Sequence, residues 1–428
     1  MDTELARTWQ APLAAKPIEA TVAVPGSKSI TNRAFVLATL SNGPTLVREP
    51  LVSRDTNLML DALRTLGADV DQRDNGDVRI TPGMSGPTER HIDVGNAGTV
   101  ARFTPLLAAR CDANVRYDGD EAIRRRPIGP LLDAMRALGV PITDAGGGRL
   151  PCTVHGVGRL PGGRVELDSS ASSQFLSALL LAAPASDGGI TVDLTGGTPP
   201  SEPHIAMTVA MLREFGADLH TRTADGEFVV AQGELSCPEY VVDPDLSTAA
   251  PFLAGAAVAG GRLRLSGWPE HTTQPGARMR EVLDDLGVHT ELDSGGLVVT
   301  GNGRLRGAEL DLRDVGELTP VIAAMLCFAD GPSRISGVAH LRGHETDRLA
   351  ALSTELSALG AGVRDTDDGL LIEPAPMHGG TFHTYADHRL VMAAAVIGLR
   401  VPGVLVEDPE TVGKTFPEFV PVWLAMLE

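Results

Sequence analysis

The residues best suited to chemistry stand in short polar loops that each lead into an Ala/Leu-rich run. In Pro25-Gly26-Ser27-Lys28-Ser29-Ile30-Thr31-Asn32-Arg33, a strand-like run (Ala20 to Val24) meets a Pro-Gly turn and then a helix pattern from Ala34 to Leu40. A helix N-terminus attracts anions through its open N–H groups and its dipole. Lys28, Ser29, Thr31 and Arg33 would turn it into a phosphate or carboxylate cradle, although a plain Ser/Thr cap reads the same way in isolation. Asp93-Val94-Gly95-Asn96-Ala97-Gly98-Thr99 offers backbone amides and small residues that let a ligand approach closely, or simply starts a helix. Ser169 to Gln174 sets hydroxyl and amide side chains, Ser172, Ser173 and Gln174 among them, before another apolar helix. A cap needs one such residue, so the cluster is equally read as phosphate or polyol recognition.

Cations and acids recur at similar places. Arg124-Arg125-Arg126-Pro127 is expected to open an amphipathic helix, with Pro127 as its first residue and Arg126 at its mouth; a solvated charged face is the alternative. Glu345 lies between His344 and Arg348 just before a helix expected over 349–359, where it would either cap or act as a general acid or base. Asp387-His388-Arg389 and Lys414 add charge late in the chain. The sequence contains no GxxxxGK[ST] loop, GxGxxG fingerprint, HExxH or GxSxG element. The remaining inventory of cations, hydroxyls and a few carboxylates suits small phosphorylated or carboxylated metabolites.

The elements that must position these loops repeat. An amphipathic helix ending in Leu-Gly or Phe-Gly closes at Gly67, Gly139, Gly216, Gly287 and Gly360, at spacings of 71 to 77 residues. Each glycine falls where a helix C-terminus calls for a left-handed residue. Between these lie six apolar helices, NRAFVLATL, GTVARFTPLLAA, SSQFLSALLLAA, STAAPFLAGAAVA, LTPVIAAMLCFA and HRLVMAAAVIGL, too apolar to face water on any side. Six units of roughly 72 residues account for the chain, the last amphipathic helix being replaced by FPEFVPVWLAMLE. The reading is an α/β protein of two similar domains with three units each: residues 25–245 form one, residues 1–24 with 246–428 the other.

Composition agrees with this reading. At 428 residues the chain exceeds one ordinary core. Aromatics are only 4%, so Ala, Leu and Val must fill the interior. A net charge of −19 argues against nucleic acid or an anionic membrane as partner. Any anionic substrate must therefore be held by a local cationic cluster. Four scattered cysteines show no CxxC or zinc spacing, and Met1 to Pro12 lacks a leader pattern. A cytoplasmic protein acting as a monomer is expected.

Taken together, PGSKSITNR, GNAGTVAR, RRPIGPLLDAMRALG, SASSQFLSALLLAAP, HETDRLAALSTEL, DHRLVMA and KTFPEF closely resemble the EPSP synthase family of enolpyruvyl transferases across the full chain. The resemblance implies two domains of three βαβαββ units each, an inside-out α/β barrel, with the active site in the interdomain cleft. It implies transfer of the enolpyruvyl group of phosphoenolpyruvate to the 5-hydroxyl of shikimate 3-phosphate, with release of phosphate and without metal or organic cofactor. By position, Lys28, Ser29, Arg33, Ser172, Ser173 and Ser201 would bind shikimate 3-phosphate, as would Glu317, His340 and His344. Phosphoenolpyruvate would fall to Lys28, Asn96, Gly98, Arg126, Gln174, Arg348, Arg389 and Lys414. Glu317 would take the hydroxyl proton and Glu345 would handle the proton at the methylene carbon, with Lys28 as a third catalytic residue.

Some positions depart from the pattern. Glu317 stands where many members carry Asp, His340 and His344 where an Asn and a Lys are usual, and His204 where a Tyr is usual. A histidine at a cation's position brings an expectation of pH-dependent affinity. The alternatives are the sister enzyme UDP-N-acetylglucosamine 1-carboxyvinyltransferase and a silent phosphometabolite binder. The first would carry a reactive Cys where Arg124 and Arg125 stand; the second would lack Glu317 and Glu345.

Overall fold

All six apolar runs fold as helices buried on nearly every side. In the computed structural model, which describes residues 8–196, 199–222 and 226–428, they span Lys28–Leu40, Gly98–Ala109, Ser173–Ala182, Leu246–Ala259, Thr319–Leu326 and His388–Gly398. Leu246–Ala259 is buried along its length, Pro251 and Gly255 included. Small side chains let such helices pack closely, so a dense interior forms with few aromatics. Residues 1–7, on which the leader reading in part bears, lie outside the described residues.

The chain divides into two units, Gly26–Val242 and Met1–Pro25 with Asp243–Glu428. Each has its own hydrophobic core. Among the described residues each also carries three open sheets, four-stranded except for one of three strands, and none closes on itself. Glu89–Asp93 runs parallel to Asn114–Asp118, which pairs antiparallel with Cys152–His155, itself antiparallel to Ile142–Asp144. The parallel step needs a crossover, and the buried helix Gly98–Ala109 supplies it. Helices therefore line the inside of each unit, while the strands carry alternating buried and exposed residues.

The amphipathic helices form at Arg54–Leu66, Gly129–Ala137, Glu202–Glu214, Met279–Asp285 and Arg348–Ala358. The five glycines that follow them all have positive φ, from 80° to 108°. A side chain there would be strained, which explains why the repeat is punctuated by glycine. The final segment forms Phe419–Met426, whose Phe419 and Trp423 rings lie 5.6 and 5.4 Å from Phe252.

Three sequence expectations change in detail. The strand before the first helix is Ile18–Val22, and it pairs with Gly261–Ser266 of the unit that holds both chain ends. Glu239–Val241, just before the fourth buried helix, pairs instead with Thr45–Arg48 of the other unit. The two units thus have their first strands exchanged along the sequence. The first helix begins at Lys28 rather than Ala34, because nothing after Ser27 interrupts the helical path. Pro127 is not a first helical residue: Glu121–Arg125 forms a short helix, Arg126 is extended at φ −80° and ψ 130°, and the next helix starts at Gly129.

Candidate active site

The residues singled out in the sequence fall into one set in each unit. In Gly26–Val242, Ser27 leads into the first helix without a side-chain capping bond. Lys28 Nζ lies 3.3 Å from Asp55 Oδ2, a carboxylate that is 3% exposed and fixes where the ammonium points. Ser29 is half-buried one residue on.

Arg33 goes the other way from the expectation of an open cation. It is 1% exposed, and its guanidinium donates to Thr208 Oγ1 at 2.8 Å, to Ser177 Oγ at 3.3 Å, and to the carbonyls of Ser29 and His204. Burial lowers its pKa to about 9. These bonds tie the first helix to Ser173–Ala182 and to Glu202–Glu214. Ser201, at the start of that last helix, sits in the left-handed region at φ 56° and its side chain makes no capping bond. Such strain in a non-glycine residue costs on the order of 1–3 kcal/mol and is typical of residues held for a task.

The second and third loops meet through Arg102. Its Nη1 donates to Gln174 Oε1 at 2.9 Å, and the guanidinium sits over the Phe175 ring at 5.4 Å. A Cβ on Gly98 would lie 2.5 Å from Arg102 Nη1 and 3.1 Å from Arg126 Nη2. Glycine at 98 thus leaves room for two cations at this helix start, and a side chain there would displace the Arg102 guanidinium. Arg126 Nε is buried with no hydrogen-bond partner among the described residues. Arg124 and Arg125, by contrast, pair with Asp118 and Glu121 at the surface, as the solvated reading expects. Asn32 Nδ2 donates to Thr99 Oγ1 at 2.7 Å, joining the first loop to the second near Asn96. In the third loop, Ser172 does cap its helix through Gln174 N, and Ser169 Oγ donates to the Ser172 carbonyl. Ser173 is 5% exposed beside them.

The other unit holds the acids. Asp347 caps Arg348–Ala358 by accepting from Ala350 N, which leaves Glu345 out of the capping role. Glu345 Oε1 instead accepts from Lys414 Nζ at 2.7 Å and Oε2 from Arg348 Nη2 at 3.2 Å. Arg348 is 3% exposed and grips Asp387 with two bonds, Nε to Oδ2 at 2.7 Å and Nη2 to Oδ1 at 3.1 Å. Burial alone would lower its pKa, but Asp387 and Glu345 outweigh that and raise it, so Arg348 is a permanent cation. Asp387 also caps the last buried helix through Arg389 N. Arg389 Nη1 donates to the Ser247 carbonyl at 2.8 Å.

Glu317 lies on the one-turn helix Gly316–Leu318, half-buried. His340 Nε2 would be 2.6 Å from a Cβ at Gly316, so the imidazole packs directly beside Glu317's turn. Burial lowers the His340 pKa; Glu317 opposes this and Arg348 reinforces it. The His344 ring lies 5.7 Å from His340, centroid to centroid, and its Nδ1 is 3.3 Å from Arg348 Nη1. Guanidinium only donates, so at this contact Nδ1 is the accepting atom.

Asp55, Arg102, Ser247 and Asp387 complete these sets without having been assigned roles from sequence. Arg102 and Asp387 sit inside the quoted motifs GNAGTVAR and DHRLVMA, while Asp55 carries no local signal beyond an acid in a helix's first turn.

The fold has counterparts among solved proteins. The EPSP synthase of Acinetobacter baumannii aligns at a TM-score of 0.83 over 98% of either chain, with 25% identity. The enolpyruvyl transferase NikO from Streptomyces tendae aligns at 0.77 over 97% of this chain and 96% of its own, with 18% identity, a likeness of fold. Fold and site together define a protein of the enolpyruvyl transferase class. The model of the family EPSP synthase (3-phosphoshikimate 1-carboxyvinyltransferase) matches residues 13–423. A 3-phosphoshikimate 1-carboxyvinyltransferase from Kocuria rhizophila is 51% identical over 430 residues, covering 98% of this chain and 96% of its own. The chain belongs to the EPSP synthase family. Among the described residues, no helix is long and apolar enough to cross a membrane.

Proposed function

We propose that the chain transfers the enolpyruvyl group of phosphoenolpyruvate to the 5-hydroxyl of shikimate 3-phosphate, releasing phosphate in the shikimate pathway of aromatic amino-acid biosynthesis. The observation that carries the mechanism is Glu345, a carboxylate held at both oxygens by Lys414 and Arg348. A proton delivered to the methylene carbon through Glu345 makes the neighbouring carbon electrophilic. The hydroxyl then adds to it, forming a C–O bond, while Glu317 takes the hydroxyl proton. Loss of a methyl proton and of phosphate from the resulting tetrahedral ketal regenerates the double bond.

In this reading Arg348, Arg389, Lys414 and Arg126 hold the phosphate and carboxylate of phosphoenolpyruvate, with Asn96, Gly98 and Gln174 shaping the place it occupies. Lys28, Ser29, Ser172, Ser173 and Ser201 take shikimate 3-phosphate together with Glu317, His340 and His344. Arg33, turned into the helix layer, serves the same substrate indirectly, its bond to the Ser29 carbonyl setting that residue. Lys28 reaches both substrates. Fixed cations around a dense negative charge supply several kcal/mol without reorganisation at the moment of reaction. The chain acts as a monomer in the cytoplasm.

The test is phosphate release by the purified protein. Release requiring both phosphoenolpyruvate and shikimate 3-phosphate is expected; turnover with UDP-N-acetylglucosamine instead, or binding without turnover, would overturn the reading.

A further inference from the structure

The turn that delivers Asp387 to Arg348 is strained. Asp387 N–H closes it onto the Thr384 carbonyl at 2.8 Å, and its two central residues have φ of 52° (Tyr385) and 55° (Ala386). Two consecutive positive φ values are the pattern of a type I′ turn, which Asn-Gly normally occupies. Tyr and Ala gain nothing locally from that conformation, so something outside the turn must hold it.

Glu355 is the side chain in position to do so. It is 2% exposed, yet its Oε2 accepts the His383 N–H at 2.9 Å and its Oε1 accepts the Tyr385 hydroxyl at 2.6 Å. Tyr385 is 44% exposed as a residue, yet its hydroxyl reaches inward to the buried Glu355. Burial and Glu355 push that phenol up to about 12, keeping it a donor across the neutral range. Glu355 lies seven residues after Arg348 on the helix Arg348–Ala358, which is two turns along the same face. One helix face therefore grips the turn twice: Arg348 takes the Asp387 carboxylate, and Glu355 takes the His383 amide and the Tyr385 hydroxyl.

We propose that Glu355, acting through Tyr385, is a positioning residue for the phosphoenolpyruvate-binding cations, setting Asp387 and through it Arg348 and Arg389. The proposal rests on the functional reading above. Its consequence falls mainly on phosphoenolpyruvate, because Asp387 bonds Arg348 and the Arg389 N–H directly, whereas among the residues assigned to shikimate 3-phosphate His344 is reached only at second hand, through Arg348.

The experiment measures KM for each substrate on the purified full chain, with backbone amide exchange over Thr384–Arg389 as a readout that does not depend on activity. Glu355→Met removes both acceptors and is expected to raise the KM for phosphoenolpyruvate about tenfold, the scale of releasing one strained residue, with the KM for shikimate 3-phosphate within about twofold. Glu355→Gln, which can still accept from His383 and meet the phenol oxygen, should stay near the wild type. Tyr385→Phe, at an exposed ring, should give a loss of about threefold if Glu355→Met does not fold. Ala386→Gly should leave the wild type unchanged and restore most of the loss in Glu355→Met, since glycine adopts this conformation unaided. Equal changes in both KM values, or no recovery with Ala386→Gly, would reduce Glu355 to general packing and overturn the proposal. If the wild type itself releases no phosphate, the functional reading fails, and unchanged amide exchange in Glu355→Met would separately refute the hold on the turn.

Discussion

Gly98→Ala tests the assembly around the second loop with a single methyl group. Its Cβ would stand 2.5 Å from Arg102 Nη1, and 3.1 and 3.4 Å from the Arg126 terminal nitrogens. An ordinary contact needs about 3.4 Å or more, so Arg102 must retreat by roughly 1 Å. Arg102 is 4% exposed and held to Gln174 at 2.9 Å, so a retreat along that bond would carry it past hydrogen-bonding range. Losing a hydrogen bond to a charged group costs about 1.5–3 kcal/mol. At about 1.4 kcal/mol per tenfold, the KM for phosphoenolpyruvate should rise by roughly 10- to 100-fold. The KM for shikimate 3-phosphate and the melting temperature should barely move. Steady-state kinetics with each substrate varied in turn decides the matter, with Gly43→Ala, which meets nothing within 4 Å, as the control. An unchanged KM for phosphoenolpyruvate would refute the packing argument and remove Gly98 and Arg126 from its site.

Further outcomes follow from the same geometry. Asp387→Asn keeps the shape but withdraws the charge facing the buried Arg348, so the urea midpoint should fall by the equivalent of about 3 kcal/mol and phosphoenolpyruvate binding should be lost. The His340 pKa is lowered on folding, so its contribution to stability is full above about pH 6.5 and declines as the pH falls below that value. His340→Asn should accordingly flatten the fall in urea midpoint between about pH 6.5 and 5. All four cysteines are free, and burial pushes Cys152 and Cys327 up to about 12 and raises Cys111 and Cys237. Iodoacetamide near pH 8 should therefore leave activity intact; rapid inactivation would point to a thiol in the chemistry.

Much of the architecture was legible because the repeat is written in simple physics. An all-apolar helix has one stable location, and a Leu-Gly ending has one favoured backbone, so the buried helices and their glycines could be placed from sequence. The site was legible where a residue's partners are its neighbours, as in the first loop and in Glu345 to Arg348. It was less so where the deciding partner is remote. Asp55 orients Lys28 across 27 residues, Arg102 reaches Gln174 across 72, and Lys414 meets Glu345 across 69. No spacing rule brings such pairs together; only the sheets and crossovers do. Arg33 shows the converse, since its place in a cation-rich loop gave no sign that its guanidinium is turned into the helix layer. The strained turn at Tyr385–Ala386 was hidden because neither residue is a turn former, and the carboxylate that holds it lies on another helix.

The central claim is addition followed by elimination at the enolpyruvyl carbon, with a proton passing onto and off the methylene. Running the reaction in deuterium oxide with phosphoenolpyruvate and shikimate 3-phosphate, and weighing the product by mass spectrometry, tests it directly. Deuterium in the product's vinyl methylene, with one phosphate released per product formed, is the predicted result. A product formed without deuterium incorporation, or phosphate released without an enolpyruvyl product, would contradict it.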